Sequence, residues 1–381
     1  MIKKILLLGL EPNSGNFGCS ALANSFFNLL NDIAKEDNIK MDVYAVCSNY
    51  FELSGNDFFS VKCLKMNLKN IKFWNEYYQL VKNAYMVFDF SEGDSFSDIY
   101  GMHRFITRSL LKELAVRNNK KFILGPQTLG PFKHKLSKKW ARLIMERSYR
   151  VYTRDEMSMK YAEKLGIKTN LTTDIAFMLP CSNHEYYIDK RCFNLGLNVS
   201  ALLWNGGYKG NNGFNLKIDY QQYIKDIIEY ANKHNICVHL IPHVLSDDYI
   251  EDDYAICNLI HNDYKETIMS PRFSSPMEAK KYMSNCDLFI GSRMHATIGA
   301  FSMEIPIIAV AYSRKFQGLY SSLGYKYVID AVKMDTKQAV DISLEWIMNI
   351  DLMKNEVKKG YYLAKSMNNN FKNEIRKLFI S

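Results

Sequence analysis

Seven consecutive residues, Gly291-Ser292-Arg293-Met294-His295-Ala296-Thr297, place a hydroxyl, a guanidinium and an imidazole directly after the apolar run 287–290. Such a run reads as a buried strand, and a helix is expected to begin at Ser292 or Arg293. Backbone N–H groups, the positive helix end and Arg293 then point at one spot, an arrangement that attracts phosphate or carboxylate. The next apolar run, 305–311, leads into Tyr312-Ser313-Arg314-Lys315. Consecutive parallel strands usually lie near each other, so this second cationic turn is expected at the same pocket. For an isolated arginine, pairing with a nearby carboxylate is the plainer reading; two strand-turn cations in tandem favour a ligand.

His295 has two readings. A lone histidine is more often a packed structural residue than a catalyst. A helix N-terminus disfavours imidazolium whereas a bound dianion favours it, so ligand binding would equip His295 as a general acid. The run 236–241 ends in Pro242-His243, which places His243 on the same kind of rim. Cys237 and His239 share one face of that strand, but two residues without a third ligand make no metal site.

The first half offers a matching set of turns. Asn13-Ser14-Gly15-Asn16-Phe17-Gly18 follows the first apolar run and lacks GxGxxG, so a dinucleotide site is not supported. In Gly93-Asp94-Ser95-Phe96-Ser97-Asp98, Asp94 suits a sugar hydroxyl or a base's role, and Asp98 suits a helix cap. Pro126-Gln127-Thr128 offers amide and hydroxyl groups. In Thr153-Arg154-Asp155-Glu156, Asp155 or Thr153 caps the next helix.

These turns need strands to carry them. Short apolar runs at 4–9, 41–46, 84–90, 121–125 and 150–153 alternate with helical stretches near 19–35, 101–118, 137–148 and 155–165. A second series, at 193–199, 236–241, 287–290 and 305–311, follows a polar patch at 181–190. Alternation of this kind gives α/β folding with parallel sheets. Two Rossmann-like units facing one another across a cleft is the simplest architecture, with the boundary near residue 185. Ser275-Pro276-Met277-Glu278 supplies an N-cap, a first-turn proline and a capping-box glutamate.

The chain has 381 residues, of which 48% are hydrophobic and 23% charged, enough for two cores and against domain-scale disorder. Its net charge of +9 suits an anionic substrate or a membrane surface without indicating nucleic acid. Residues 354–381 hold seven basic and two acidic residues. They read first as a solvated helix face, with membrane contact as the alternative. Eight scattered cysteines without a CxxC pair read as reduced thiols. The apolar N-terminal run stops at Glu11-Pro12, so a strand fits better than a signal peptide, and no stretch is long enough to span a bilayer.

Taken in order, these blocks resemble the polysaccharide pyruvyl transferase family. The likeness runs through Gly15-Asn16-Phe17-Gly18, Gly93-Asp94-Ser95-Phe96-Ser97-Asp98, Gly125-Pro126-Gln127-Thr128-Leu129-Gly130-Pro131-Phe132 and Thr153-Arg154-Asp155-Glu156. It continues through Asp174, Gly196-Leu197-Asn198, Pro242-His243, the Ser292-Arg293-Met294-His295 block, Pro306, Tyr312, Lys315 and Gly324. The family carries an acidic residue in many members where Cys19 stands, and a third glycine where Glu92 stands.

The resemblance implies a GT-B-like fold. Residues 1–185 would take the acceptor, residues 186–345 would take phosphoenolpyruvate, and residues 346–381 would form a basic helical tail. Ser292, Arg293, Met294, Arg314 and Lys315 would bind the donor, and His295 would protonate its methylene carbon. Asp94 or His243 would take hydroxyl protons. Asn16, Gln127 and Arg154 would contact a sugar or glycan acceptor, lipid-linked or not. No metal or cofactor beyond the co-substrate is expected. The expected location is cytoplasmic, with peripheral contact at the inner face of the membrane. Two rivals remain open: a nucleotide-sugar glycosyltransferase of the same fold, and a non-catalytic scaffold in polysaccharide assembly.

Overall fold

Apolar runs buried on both faces set the strands of the first unit. Lys3–Leu8 (β1), Met41–Cys47 (β2), Phe59–Lys65 (β3), Met86–Asp89 (β4), Phe122–Gln127 (β5), Arg150–Thr153 (β6) and Asn170–Leu171 (β7) pair in the order β3-β2-β1-β4-β5-β6-β7. Every pairing is parallel. The helices between them are Phe17–Glu36 (α1), Ile71–Asn83 (α2), Met102–Asn118 (α3), Lys135–Arg147 (α4) and Glu156–Glu163 (α5). Both faces of a parallel sheet must be covered, so its strands read as continuous hydrophobics; Ile5 through Leu8 and Met86 through Phe88 are all buried.

The second unit repeats the plan. Phe193–Asn198 (β8), Ile236–Leu240 (β9), Ile268–Met269 (β10), Leu288–Gly291 (β11), Ile307–Ala311 (β12) and Val328–Asp330 (β13) form a parallel sheet ordered β10-β9-β8-β11-β12-β13. Its helices are Ala201–Trp204 (α6), Tyr220–Lys233 (α7), Asp253–Asp263 (α8), Pro276–Met283 (α9), Met294–Phe301 (α10), Arg314–Ser322 (α11), Thr336–Met348 (α12) and Ile350–Ile380 (α13). Helix α9 starts with the Ser275 side chain accepting from the Glu278 N–H and Pro276 in the first turn, as expected, but the Glu278 carboxylate accepts from Ser274 N–H and hydroxyl and closes no capping box on Ser275.

Each strand order reverses direction once, between β1 and β4 and between β8 and β11. A reversal opens a crevice beyond the strands' carboxyl ends, where ligands of such sheets bind. In the second unit Gly291 pairs with both Asn198 and Ala309, so the turns after β8 and β11 leave the sheet at one level, while β12 runs two residues further to Ala311.

The computed structural model describes residues 2–51 and 55–380; Met1 and Ser381, the ends of the expected ranges, lie outside them. The chain divides into Met1–Ser14, Leu22–Ile175 and Ser366–Ser381 on one side and Gly15–Ala21 with Ala176–Lys365 on the other. The division thus falls before the polar patch that marked it in the sequence. Residues 346–381 are no separate tail either. They finish α12 and form α13, whose end buries Phe371, Ile375, Leu378 and Phe379 in the first unit. There Lys372 pairs with Asp32 and Glu36, and Arg376 with Glu36 and Asp37.

The reading of eight free thiols needs correction. Parallel β8 and β9 bring Cys192 and Cys237 side by side, with Cα atoms 6.3 Å apart, and the two are joined as a disulfide.

Candidate active site

The switch-point crevice of the second unit is assembled around a buried carboxylate. Asp253, the first residue of α8, is fully buried. It accepts from the backbone N–H of Ala201 at 2.9 Å, of His243 at 3.3 Å and of Val244 at 3.0 Å. Arg293 donates to it through Nη2 at 2.7 Å and Nε at 3.2 Å, and also reaches the Glu251 carbonyl. One side chain therefore ties the turns after β8, β9 and β11 together. Burial and the Asp253 partner act oppositely on Arg293, and the partner wins: its pKa is raised.

Helix α10 begins at Met294, with Arg293 in the capping position, one or two residues later than the expected Ser292 or Arg293. Arg293 N–H donates to Asn198 Oδ1 at 2.9 Å, while Asn198 Nδ2 donates to the Ile241 carbonyl. Ser292 and Tyr220 share a hydroxyl–hydroxyl bond of 2.7 Å, and the Tyr220 oxygen also accepts from the Ser200 N–H. Met294 is buried beneath this layer. Arg293 is thus a partner of Asp253 first, as the plainer reading held, with 12% of its side chain still exposed.

The two histidines meet on this rim. His243 is buried and neither ring nitrogen has a hydrogen-bond partner. Burial, reinforced by His295 and Arg293, pushes its pKa down to about 3, so it is a neutral imidazole at ordinary pH. Its ring stands edge-on to Phe17 at 5.7 Å. Residues Gly15–Ala21 belong to this unit rather than to the first. Leu245 N–H donates to the Gly15 carbonyl, Asn16 bridges Val244, and Phe17 N–H donates to the His243 carbonyl.

Asn16 then caps α1, its Oδ1 accepting from Gly18 N–H at 3.0 Å. A Cβ on Gly18 would fall 2.3 Å from His295 Nδ1. Only glycine lets the imidazole lie against the first turn of α1. Tyr312, after β12, and Arg293, after β11, interact electrostatically, so the two cationic turns do share a neighbourhood. Arg314 and Lys315 open α11, and the Lys315 ammonium sits 5.6 Å from the Tyr312 ring. Two more buried hydroxyls here, Ser200 Oγ and Ser313 Oγ, have no partner.

The first unit's rim is built differently. Asp94 Oδ2 accepts from the Tyr100 hydroxyl at 2.7 Å. The turn before it is strained: Ser91 and Glu92 sit at φ of 46° and 53°, which costs non-glycine residues roughly 1–2 kcal/mol each. The Glu92 carboxylate is held by Arg104 and Arg108. Asp98 does not cap α3; it accepts from Lys133 and His134 N–H, fixing the loop before α4. Asp155 does cap α5, accepting from Ser158 N–H at 2.7 Å.

Gln127 and Arg154 lie in the interior. Gln127 donates to the Asp89 and Gly125 carbonyls. Arg154 is ion-paired with Asp174 at 2.7 Å and donates to Thr128. They hold loops together, and each keeps one buried polar atom, Gln127 Oε1 and Arg154 Nη2, without a hydrogen-bond partner.

A family model for polysaccharide pyruvyl transferases matches residues 16–314. The chain belongs to the polysaccharide pyruvyl transferase family. Among solved structures, it is similar to UDP-GlcNAc 2-epimerase from Neisseria meningitidis bound to UDP-GlcNAc, at 11% identity, with 99% of this chain and 100% of that one covered and a TM-score of 0.61. It is also similar to a glycosyltransferase from Rickettsia africae, at 10% identity, 98% of each chain covered and a TM-score of 0.58. At such identity these likenesses establish the fold, GT-B-like α/β, and nothing finer. No curated protein matches the sequence.

For this pyruvyl transferase family member, Asp253 and Tyr220 were not singled out in the sequence, and Asn198 stood only in a block of resemblance with no site role given to it. Asp253 follows Asp252, whose own side chain caps α8, and a double aspartate at a helix start signals capping rather than a hub. Asn198 ends β8, where its position beyond a strand was the available clue. Among the described residues no group of His, Cys, Asp and Glu is arranged to hold a metal ion, and no helix is long and apolar enough to cross a membrane.

Proposed function

We propose that this protein transfers the three carbons of phosphoenolpyruvate onto two hydroxyls of one sugar in a bacterial polysaccharide or its precursor, forming a pyruvate ketal. One observation carries the reading. At the β8/β11 switch point a buried neutral imidazole with two unpartnered nitrogens, His243, stands among Arg293, His295 and the opening turn of α10. A dianion brought there raises the basicity of both imidazoles and meets backbone N–H groups and a guanidinium.

In the proposed reaction His295 gives a proton to the methylene carbon, and the adjacent carbon becomes electrophilic. One sugar hydroxyl adds there and loses its proton to a base, for which His243 is the candidate in this unit. A second hydroxyl of the same sugar then forms the other C–O bond as the C–O bond to phosphorus breaks. Phosphate leaves with the electron pair and takes the proton held by His243, and the second hydroxyl proton restores His295. Arg293, Lys315 and Arg314 offset the donor's charge, with Ser292 and Met294 shaping the floor.

Family membership and the site's polarity support this donor. The test is a phosphate-release screen of the full chain with phosphoenolpyruvate and a panel of bacterial glycans and glycolipids, beside thermal shift with the donor and with nucleotide sugars. A ligand at a hundredfold its Kd adds about 2.7 kcal/mol of stability, so phosphoenolpyruvate should raise the Tm by several degrees and nucleotide sugars should not. The reverse pattern would favour a glycosyltransferase. Donor binding without phosphate release from any acceptor would favour a scaffold.

A further inference from the structure

We propose that the paired N-terminal ends of α3 and α4 in the first unit form a docking face for an anionic lipid surface. The two ends are locked to each other. Asp98 accepts from Lys133 and His134 N–H, Ser97 donates to the Pro131 carbonyl, and Phe132 packs between Phe96 and Phe105. On this rigid base the segment Lys133-His134-Lys135-Leu136-Ser137-Lys138-Lys139 turns only Ser137 inward. Leu136 is 80% exposed, and Ile99 and Tyr100 on the adjoining loop are each 42% exposed.

No residue from 131 to 145 is acidic. Among the described residues Lys133, Lys135, Lys138 and Lys139 enter no ion pair, as is also true of Lys358, Lys359 and Lys365 of α13, whose Lys372 and Arg376 are paired. The chain's basic excess is thus left unneutralised here, around aliphatic and aromatic side chains held in water. A soluble polyanion would satisfy the lysines and leave Leu136, Ile99 and Tyr100 wet. A bilayer surface satisfies both: headgroup phosphates take the ammonium groups while the apolar side chains enter the acyl boundary. The face stands independently of the donor reading and applies whether or not the acceptor is lipid-linked.

The full chain is sedimented with phosphatidylcholine vesicles and with vesicles of phosphatidylcholine and phosphatidylglycerol. Pelleting is expected with the anionic vesicles alone. Each lysine near the surface changes partitioning about fivefold, so Lys135→Ala/Lys138→Ala/Lys139→Ala lowers it about a hundredfold. Leu136→Ser keeps every charge and lowers it about tenfold. Lys358→Ala/Lys359→Ala/Lys365→Ala removes equal charge from α13 and leaves it unchanged, with circular dichroism confirming that each variant is folded. Absence of pelleting by the wild type, equal loss in the two lysine triples, or full binding by Leu136→Ser would overturn the proposal.

Discussion

The two rims share a topology and differ in charge. Beyond β1 and β4, the first unit sets carboxylates against cations: Asp89 faces Lys112 at 3.2 Å, Glu92 faces two arginines, and Asp174 faces Arg154. Beyond β8 and β11, the second unit spends one carboxylate, Asp253, on Arg293 and surrounds it with imidazoles, hydroxyls, amides and the cations that open α11. A carboxylate-rich rim suits a ligand made of hydroxyls, whereas an imidazole- and amide-rich one suits an anion. The same sheet can therefore present opposite electrostatics, because the strands fix only where the turns emerge.

The sharpest way to break this contrast is to remove each unit's buried carboxylate. Asp253→Ala and Asp174→Ala each strand a buried arginine, which typically costs about 3–5 kcal/mol, read as a lower denaturation midpoint. Both should destabilise to a similar degree, but only Asp253→Ala should also abolish phosphoenolpyruvate binding at temperatures where the protein is still folded. Equal donor affinity in the two variants would mean that the second rim has no special claim on the anion.

An effect confined to the acid limb is the pH dependence carried by His243. Its folded pKa of about 3 lies below the ordinary value near 6.5. The unfolded chain therefore binds the extra proton first. Stability attributable to this group is complete above about pH 6.5 and falls with pH, by about 1.4 kcal/mol per unit, until its folded pKa is reached. His239, lowered to about 4 by burial, adds to the same slope. His243→Gln should flatten the acid limb by about one proton in denaturation curves at stepped pH; an unchanged limb would mean His243 is not buried neutral.

Next comes Lys315→Ala, expected to raise KM for phosphoenolpyruvate about tenfold with kcat little changed, the signature of lost ground-state binding. The smallest effect belongs to the first rim. Glu92→Gly relieves a left-handed backbone worth roughly 1–2 kcal/mol and loses two ion pairs worth up to about 1 kcal/mol each, so stability should change by less than about 2 kcal/mol.

How much of this could be read beforehand follows the same division. Buried strands such as β1, β4 and β11 were legible because both faces are apolar. Phe59–Lys65 (β3) was not, since it pairs on one side only and alternates polar residues, and β7 and β10 are two residues long. His295 and Arg293 stood out because a turn after a strand carried their chemistry in one contiguous block. Asp253 reaches the same place from another helix and acts mainly through backbone N–H groups, which leave no pattern. Gln127 and Arg154 stand at strand ends as expected, but residue type does not announce that each would keep one buried polar atom, Gln127 Oε1 and Arg154 Nη2, without a partner. Asn16 went with the other unit because its short pairing with Val244 outweighs its proximity in sequence to β1.

The most direct measurement is a paired assay on His295→Ala: phosphoenolpyruvate binding by calorimetry, and phosphate release with whichever acceptor the wild type accepts. Loss of a general acid removes about 10²–10⁴ in rate, so the account predicts near-normal binding with phosphate release reduced by at least a hundredfold. Turnover at the wild-type rate would contradict it.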